Sequence, residues 1–251
     1  MRIHLKSENS IALMRESCQV VYETLKIVES NIRAGVTGKF LDKLAEEYIR
    51  HCGAVPSFKG YDGFPSSLCI SINDEVIHGI PSDRELEDGD IVSIDCGAYK
   101  NGFHGDSAYT YTVGGVVSYE VEKLLRITNE ALYKGIEQAI VGNKLGDISY
   151  AIQSHVEDNG YSIIREYAGH GIGKDLHEDP QVSNYNKGKH SSLVLTEGLV
   201  IAIEPMVSTG SRKVYVKDDG WTVCTIDNTL SAHFEHTVAI REGKADILSV
   251  N

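Results

Sequence analysis

The sequence predicts an α+β chain in two similar halves, each a pair of helices followed by antiparallel strands, with the helices packed on one face of the sheet. The first observation behind this is an internal repeat. Leu86-x-Asp88-Gly89-x-x-Val92-x-Ile94-Asp95 lines up with Leu195-x-Glu197-Gly198-x-x-Ile201-x-Ile203-Glu204, 109 positions later. The second is a matching repeat of helical hairpins: Gly35 and Gly53 correspond to Gly142 and Gly160 at an offset of 107, which sets Leu41 on Ile148 and Ile49 on Val156. The third is the order of periodicities, helical first and strand-like after in each half, which favours segregated helices and strands. The halves span about 8–115 and 116–245, related by a pseudo-twofold axis within a single domain of residues 1–251.

In the first helix, expected from about Glu8 to Asn31, Ile11, Met14, Cys18, Val21, Leu25 and Val28 recur at three- and four-residue spacing, with Ser7 as N-cap. Thr37 caps a second helix through Cys52, striped by Leu41, Leu44, Ala45, Tyr48 and Ile49 and closed by Gly53. Tyr61–Pro65 reads as a loop, Leu68–Ile72 as a strand and Val76–Pro81 as a short strand ending in a turn. Ile91, Val92 and Ile94 open a central strand, Asn101-Gly102 is a strong hairpin signal, and a second strand follows through Ala108–Val113. Ser118 caps a helix to about Ile140, and another runs from about Asp147 to Asn159 before Gly160. Tyr161–Ile164 resembles a strand, the glycine-rich run Ala168–Gly173 a loop, and Val194–Ile203, Val214–Val216, Thr222-Val223 and Thr237–Ile240 strands.

Composition narrows the function classes. The 251 residues carry a net charge of −12, which argues against wholesale binding to nucleic acid or an anionic membrane. The five cysteines, Cys18, Cys52, Cys69, Cys96 and Cys224, are odd in number and scattered, as suits free thiols in a reducing cytoplasm. Met1–Ser10 has no apolar core of a signal peptide, and no run of about 18 apolar residues suggests a membrane span.

Folding the central hairpin brings Asp95 and Asp106 close to opposite each other, where like charges repel. A shared proton, an Arg or Lys, or a metal would relieve this; the two strands place no basic residue beside either Asp, which favours the proton or the metal. The repeat puts Glu204 in the role of Asp95. Glu235 starts the last strand as Asp106 starts its own, a fourth carboxylate. Such a group does not stay ionised without cations. His170, flanked by Gly169 and Gly171, adds a neutral nitrogen. That donor set suits two divalent ions of the Mn, Fe or Co type, with Zn also compatible, and a metal pair can share a hydroxide that is nucleophilic at neutral pH. Singly, each residue has an ordinary explanation, a turn Asp, a surface His or a strand-end Glu; the repeat and the apolar flanks favour a site. His104, His233 and His236 are expected to pack or hydrogen-bond beside the cluster, and His4, His51, His155 and His190 to lie at the surface.

Specific motifs then carry a resemblance over nearly the full length: Ser93-Ile94-Asp95-Cys96-Gly97 with Gly102-Phe103-His104-Gly105-Asp106, Tyr167–Gly173 followed by His177, Val182, Asn184 and Tyr185, Ile203-Glu204-Pro205-Met206, and Glu235-His236-Thr237. The chain resembles the type I methionine aminopeptidases. The resemblance implies a pita-bread fold and a dinuclear site held by Asp95, Asp106, His170, Glu204 and Glu235, with Asp106 and Glu235 bridging. It implies that His78 hydrogen-bonds the scissile amide nitrogen, that His177 steadies the carbonyl oxygen as it gains charge, and that Glu204 shuttles the proton of the attacking water. Residues similar to the family's methionine pocket are Tyr61, Phe64, Cys69, His78, Leu176 and Trp221; Phe64 and Leu176 depart from the Tyr and Phe expected there. The implied reaction is removal of the N-terminal methionine from nascent polypeptides with a small second residue, by a monomer that meets its substrate in the cytoplasm. Lys187, Lys189, Arg212, Lys213 and Lys217 read as solvated charge or as a local basic patch that would contact the ribosome.

The type II subclass carries a helical insertion between the last two Glu ligands, for which the 31 positions from Glu204 to Glu235 are too few. An N-terminal zinc-binding extension is not expected, since helical periodicity starts almost at once. Two other readings share the scaffold. Prolidases and proline aminopeptidases usually have an extra N-terminal domain, and non-catalytic binding proteins typically lose ligands, none of which is lost here.

Overall fold

The computed structural model describes residues 2–115, 118–186 and 193–251; Lys187, Lys189 and His190 therefore lie outside the described residues. Helix α1 covers Glu8–Glu29, with Ser7 accepting from the Ser10 amide and all six predicted apolar positions buried. Helix α2, Gly38–His51, is capped by Thr37 and buries Leu41, Ala45 and Ile49, while Leu44 and Tyr48 of the predicted stripe stay partly exposed. Gly53 takes the left-handed conformation expected after the helix, φ +70°. Helix α3 is Tyr119–Gln138 and α4 is Leu145–Asp158. The sequence places the start of α4 at Asp147, but that residue sits inside the first turn: its carboxylate reaches back to the Lys144 amide at 2.7 Å, capping from within.

In the first half, strand Ile91–Lys100 pairs with Phe103–Thr112, with Leu68–Ile72 and with the short Val55–Pro56. The second half holds a five-stranded sheet ordered Asp246–Ile247, His236–Ala239, Val200–Ile203, Ala168–Gly171 and Glu178–Ser183. Two three-stranded sheets complete the described strands. Helices α1 and α2 close one apolar core over the first hairpin, and α3 and α4 close another over the second sheet. A third cluster joins them: Ile11, Met14 and Cys18 of α1 meet Phe58, Phe64 and Phe103 of the first half and Ile172, Leu176, Val200 and Ala239 of the second.

The glycine-rich run predicted as a loop is a strand over Ala168–Gly171. Its glycines exist for close packing: a Cβ on Gly169 would fall 2.3 Å from the Ala202 carbonyl oxygen, and one on Gly171 2.3 Å from that of Asp179. The predicted strand Val194–Ile203 shortens to Val200–Ile203, with Val194 in an isolated bridge to Lys144.

The strand registers refine the internal symmetry. In the first hairpin Ser93 pairs with Thr110, Ile94 with Tyr109 and Asp95 with Ala108. In the second, Ala202 pairs with Thr237 and Ile203 with His236. With Glu204 equivalent to Asp95, the counterpart of Ala108 is Glu235 and that of Asp106 is His233. The expected equivalence of Asp106 and Glu235 is thus corrected: Asp106 lies inside its strand, and Glu235 precedes the strand His236–Ala239. Asp95 and Asp106 are also not directly opposite. Asp106 pairs with Gly97, two places from Asp95, so the two carboxylates are diagonal neighbours on one face. The axis is marked by reciprocal hydrogen bonds. The Thr237 hydroxyl accepts from the Asp106 amide at 3.1 Å and donates to its carbonyl at 2.8 Å, while the Thr110 hydroxyl accepts from the His233 amide at 2.9 Å and donates to its carbonyl at 2.8 Å.

Candidate metal centre

The two hairpins meet with their acidic faces toward each other. Asp95 and Asp106 come from the first, Glu204 from the end of strand Val200–Ile203, and Glu235 from the bend before His236–Ala239, where its amide donates to the Ala108 carbonyl at 2.9 Å. Asp106, Glu204 and Glu235 are buried, Asp106 and Glu235 to within 3%. Ligating atoms of Asp106, His170 and Glu235 all lie within 4.8 Å of one another. Glu204 Oε1 is 3.7 Å from His170 Nε2, and its Oε2 is 3.7 Å from His233 Nε2.

Burial holds the carboxyls of Asp106, Glu204 and Glu235 well above the ordinary carboxylate range, with their acidic neighbours adding to the shift, and lifts Asp95 to about 7. Asp95 Oδ1, Asp106 Oδ1 and Glu235 Oε1 are buried with no hydrogen-bond partner among the described residues. His170 supplies what the oxygens lack. Its Nδ1 lies 2.9 Å from the Gly171 carbonyl, which only accepts, so the proton sits on Nδ1 and the Nε2 lone pair faces the carboxylates. Burial, helped by His177, lowers its pKa to about 3 and keeps it neutral. Partnerless buried oxygens around a neutral nitrogen are the donor set a divalent cation requires, so these residues fit one.

A cavity of about 210 Å³ opens over this cluster and contains every pocket residue read from the sequence: Tyr61, Phe64, Cys69, His78, Leu176, His177 and Trp221. Phe64 and Trp221 meet edge to face, their centroids 5.2 Å apart. Phe58 and Asp62 line it as well and were not legible. The signal for Phe58 is Gly97, where a Cβ would stand 2.8 Å from the Phe58 ring. A second cavity, about 340 Å³, is lined by Tyr167, Gly169 and Gln181 and shares His78, His170, His177 and Glu204 with the first. His78 and His177 therefore stand where the two cavities meet.

His78 holds a left-handed backbone, φ +57°, unusual for a residue with a side chain. The following Gly79 is pressed on strand Leu68–Ile72, where a Cβ would be 2.1 Å from the Ile70 carbonyl oxygen. Burial lowers the His78 pKa to about 4. His177 is also lowered by burial; its Nδ1 lies 2.8 Å from the Tyr61 hydroxyl and its ring packs edge-on to His170 at 4.4 Å. Of the residues suggested for a basic patch, Arg212 and Lys213 are exposed, but Lys217 is held by Glu75 at 2.6 Å.

The profile of metallopeptidase family M24 matches residues 12–242. A methionine aminopeptidase of Clostridium perfringens is 53% identical over 99% of this chain and 99% of its own length. Methionine aminopeptidase 1 of Bacillus subtilis is 51% identical over 97% of this chain and 98% of its own. The crystal structure of a methionine aminopeptidase from Rickettsia prowazekii superposes with a TM-score of 0.96 at 40% identity, covering 99% of this chain and all of that one.

Proposed function

The chain belongs to metallopeptidase family M24, with the pita-bread fold of its methionine aminopeptidases, and from that premise we propose that it removes the N-terminal methionine of peptides whose second residue is small. The observation that carries the reading is the convergence of four acidic side chains, three of them with partnerless buried oxygens, beside a neutral imidazole at the floor of a largely apolar cavity.

Asp95, Asp106, His170, Glu204 and Glu235 would hold two divalent metals, of the Mn, Fe or Co type with Zn compatible. Such metals, when bound, polarise a carbonyl and make water acidic enough to be a nucleophile at neutral pH. The protein's own groups do the rest. Phe58, Phe64, Leu176 and Trp221 take the methionine side chain out of water, worth about 1.5–3 kcal/mol, and Cys69 offers a soft contact to its sulfur. Leu176, smaller than the expected Phe, leaves that wall wider. The Tyr61 hydroxyl lies 2.8 Å from His177 Nδ1; donating there, it would leave the His177 proton on Nε2 for the carbonyl oxygen as that gains charge. His78, neutral and fixed by its turn, meets the scissile amide nitrogen. Glu204, between His170 and His233, accepts the proton of the attacking water and delivers it to the leaving amine. The chain beyond the scissile bond leaves through the second cavity, past Tyr167 and Gln181.

The substrates would be nascent polypeptide N-termini in the cytoplasm, met by a monomeric enzyme in a single catalytic domain. Docking on the ribosome through Arg212 and Lys213 would weaken as salt is added. Specificity is tested by comparing Met-Ala-Ser with an Ala-Pro peptide under one metal condition. The expected result is release of methionine with little cleavage of Ala-Pro; the reverse order would make the chain a proline-directed enzyme.

A further inference from the structure

His177 and Leu176 lie between strand Ala168–Gly171 and strand Glu178–Ser183, on a turn that has to be held from outside. Glu178 holds it. Its Oε1 accepts from the Lys174 amide at 2.9 Å and lies 3.4 Å from that of Asp175, so one carboxylate oxygen gathers the start of the turn. The other oxygen meets Lys6 Nζ at 2.5 Å. Both side chains are almost fully covered, 5% and 6% exposed. Gly173 leaves the room the pair fills: a Cβ there would stand 2.4 Å from Glu178 Oε1 and 2.6 Å from Lys6 Cε, so the two side chains would have to shift.

Lys6 is fixed in turn. Its amide donates to the Gly198 carbonyl at 2.7 Å, and a Cβ on Gly198 would stand 2.7 Å from the Lys6 carbonyl oxygen. Ile3 bridges Asp179 in parallel, and the Arg2 amide donates to Asp179 Oδ2 at 2.7 Å. Residues 2–7 thus form an arm laid against the segment that carries His177. A buried carboxylate keeps its place only with a paired cation, and a catalytic group displaced by about 1 Å can lose on the order of 100-fold in rate.

We propose that Lys6 is a positioning residue for the reaction: through Glu178 it sets the turn that aims His177 into the cavity, so the N-terminal arm is part of the active-site geometry. This rests on the reading of His177 as the group that steadies the carbonyl oxygen. Among the described residues the Lys6 ammonium pairs with Glu178 and makes no hydrogen bond or ion pair with the carboxylate cluster, so its influence runs through Glu178 and the turn Glu178 holds.

The test is a cycle of Lys6→Met, His177→Ala and the double variant, assayed on Met-Ala-Ser at saturating metal. Metal content, thermal unfolding and hydrogen exchange of residues 174–177 are followed alongside. Lys6→Met is expected to lower kcat about 10–100-fold with KM changed less than about 3-fold, to leave metal content as in the wild type and to speed exchange at Lys174 and Asp175. In the His177→Ala background the same substitution is expected to change kcat less than about 2-fold, because the group it positions is gone. If Lys6→Met does not fold, Lys6→Met with Glu178→Gln removes both buried charges together and is expected to show the same loss. A folded variant with wild-type kcat, or an equal loss with and without His177, overturns the proposal and leaves the arm as a stabilising staple. A His177→Ala enzyme as fast as the wild type, or a wild type that does not release methionine, instead removes the reading of the site and the proposal with it.

Discussion

Single residues divide here into those that hold charge and those that meet substrate. On the proposed reading His78 belongs to the second group: it lines both cavities, and among the described residues no hydrogen bond joins it to Asp95, Asp106, His170, Glu204 or Glu235. His78→Ala should therefore lower kcat about 100-fold with metal content unchanged; loss of metal would move His78 into the coordinating set. The titrations of the metal-free protein pull in two directions. His170 and His233, lowered to about 3, and His78 and His236, lowered to about 4, are neutral in the fold and take up protons on unfolding. Their contribution is complete above about pH 6.5 and lost as pH falls toward those values. The raised carboxyls act oppositely. Asp95, near 7, and Asp106, Glu204 and Glu235, well above their ordinary values, contribute stability at low pH that is lost as pH rises through the folded values. Metal-free protein should accordingly be most stable near neutrality and lose melting temperature from about pH 7 to 8, where the histidines no longer change. A divalent metal should abolish or reverse that upper slope, which a melting series with and without Mn²⁺ would show.

At the level of elements, the two hairpins are locked by Thr110 and Thr237, each using one hydroxyl to satisfy both backbone groups of a residue on the other hairpin. Thr237→Val leaves the buried Asp106 amide without that acceptor and should cost about 1–3 kcal/mol in stability. Because it also frees Asp106, metal affinity should drop about 10–100-fold. Thr110→Val should cost similar stability with a smaller effect on metal, since its partner residue is His233; equal effects on affinity would show that the lock is not specific to the ligand strand. Much at this scale was legible. Ser7 and Thr37 announce their helices, and the Asp95–Glu204 repeat was enough to bring two distant carboxylates together. Glu235 joins the cluster, but not as the equivalent of Asp106. The repeat could not show that His233 occupies the place of Asp106, because residues 214–216 and 223–225 form an extra hairpin that shifts the offset in the second half. The strand Ala168–Gly171 was hidden because glycine signals flexibility in a sequence, whereas here it permits backbone contact that any side chain would block. Phe58 and the Lys6–Glu178 pair were not legible because each rests on a contact between residues far apart in the chain, Phe58 with Gly97 and Lys6 with Glu178.

For the whole molecule, the site exists only at the seam of two halves that have separate apolar cores and share a third cluster beneath the cavity. The first half contributes Asp95, Asp106 and His78, the second His170, His177, Glu204 and Glu235, so neither half holds the complete set. The charge that makes each half unfavourable to bring together is what a cation would neutralise. The most direct measurement is a titration of metal-free protein with Mn²⁺ or Co²⁺, counting bound metal per chain while following methionine release from Met-Ala-Ser. The account predicts no release without metal and release that rises with metal bound, reaching no more than two ions per chain. Unchanged release in excess chelator, or none with any divalent metal on a chain that binds it, would contradict it.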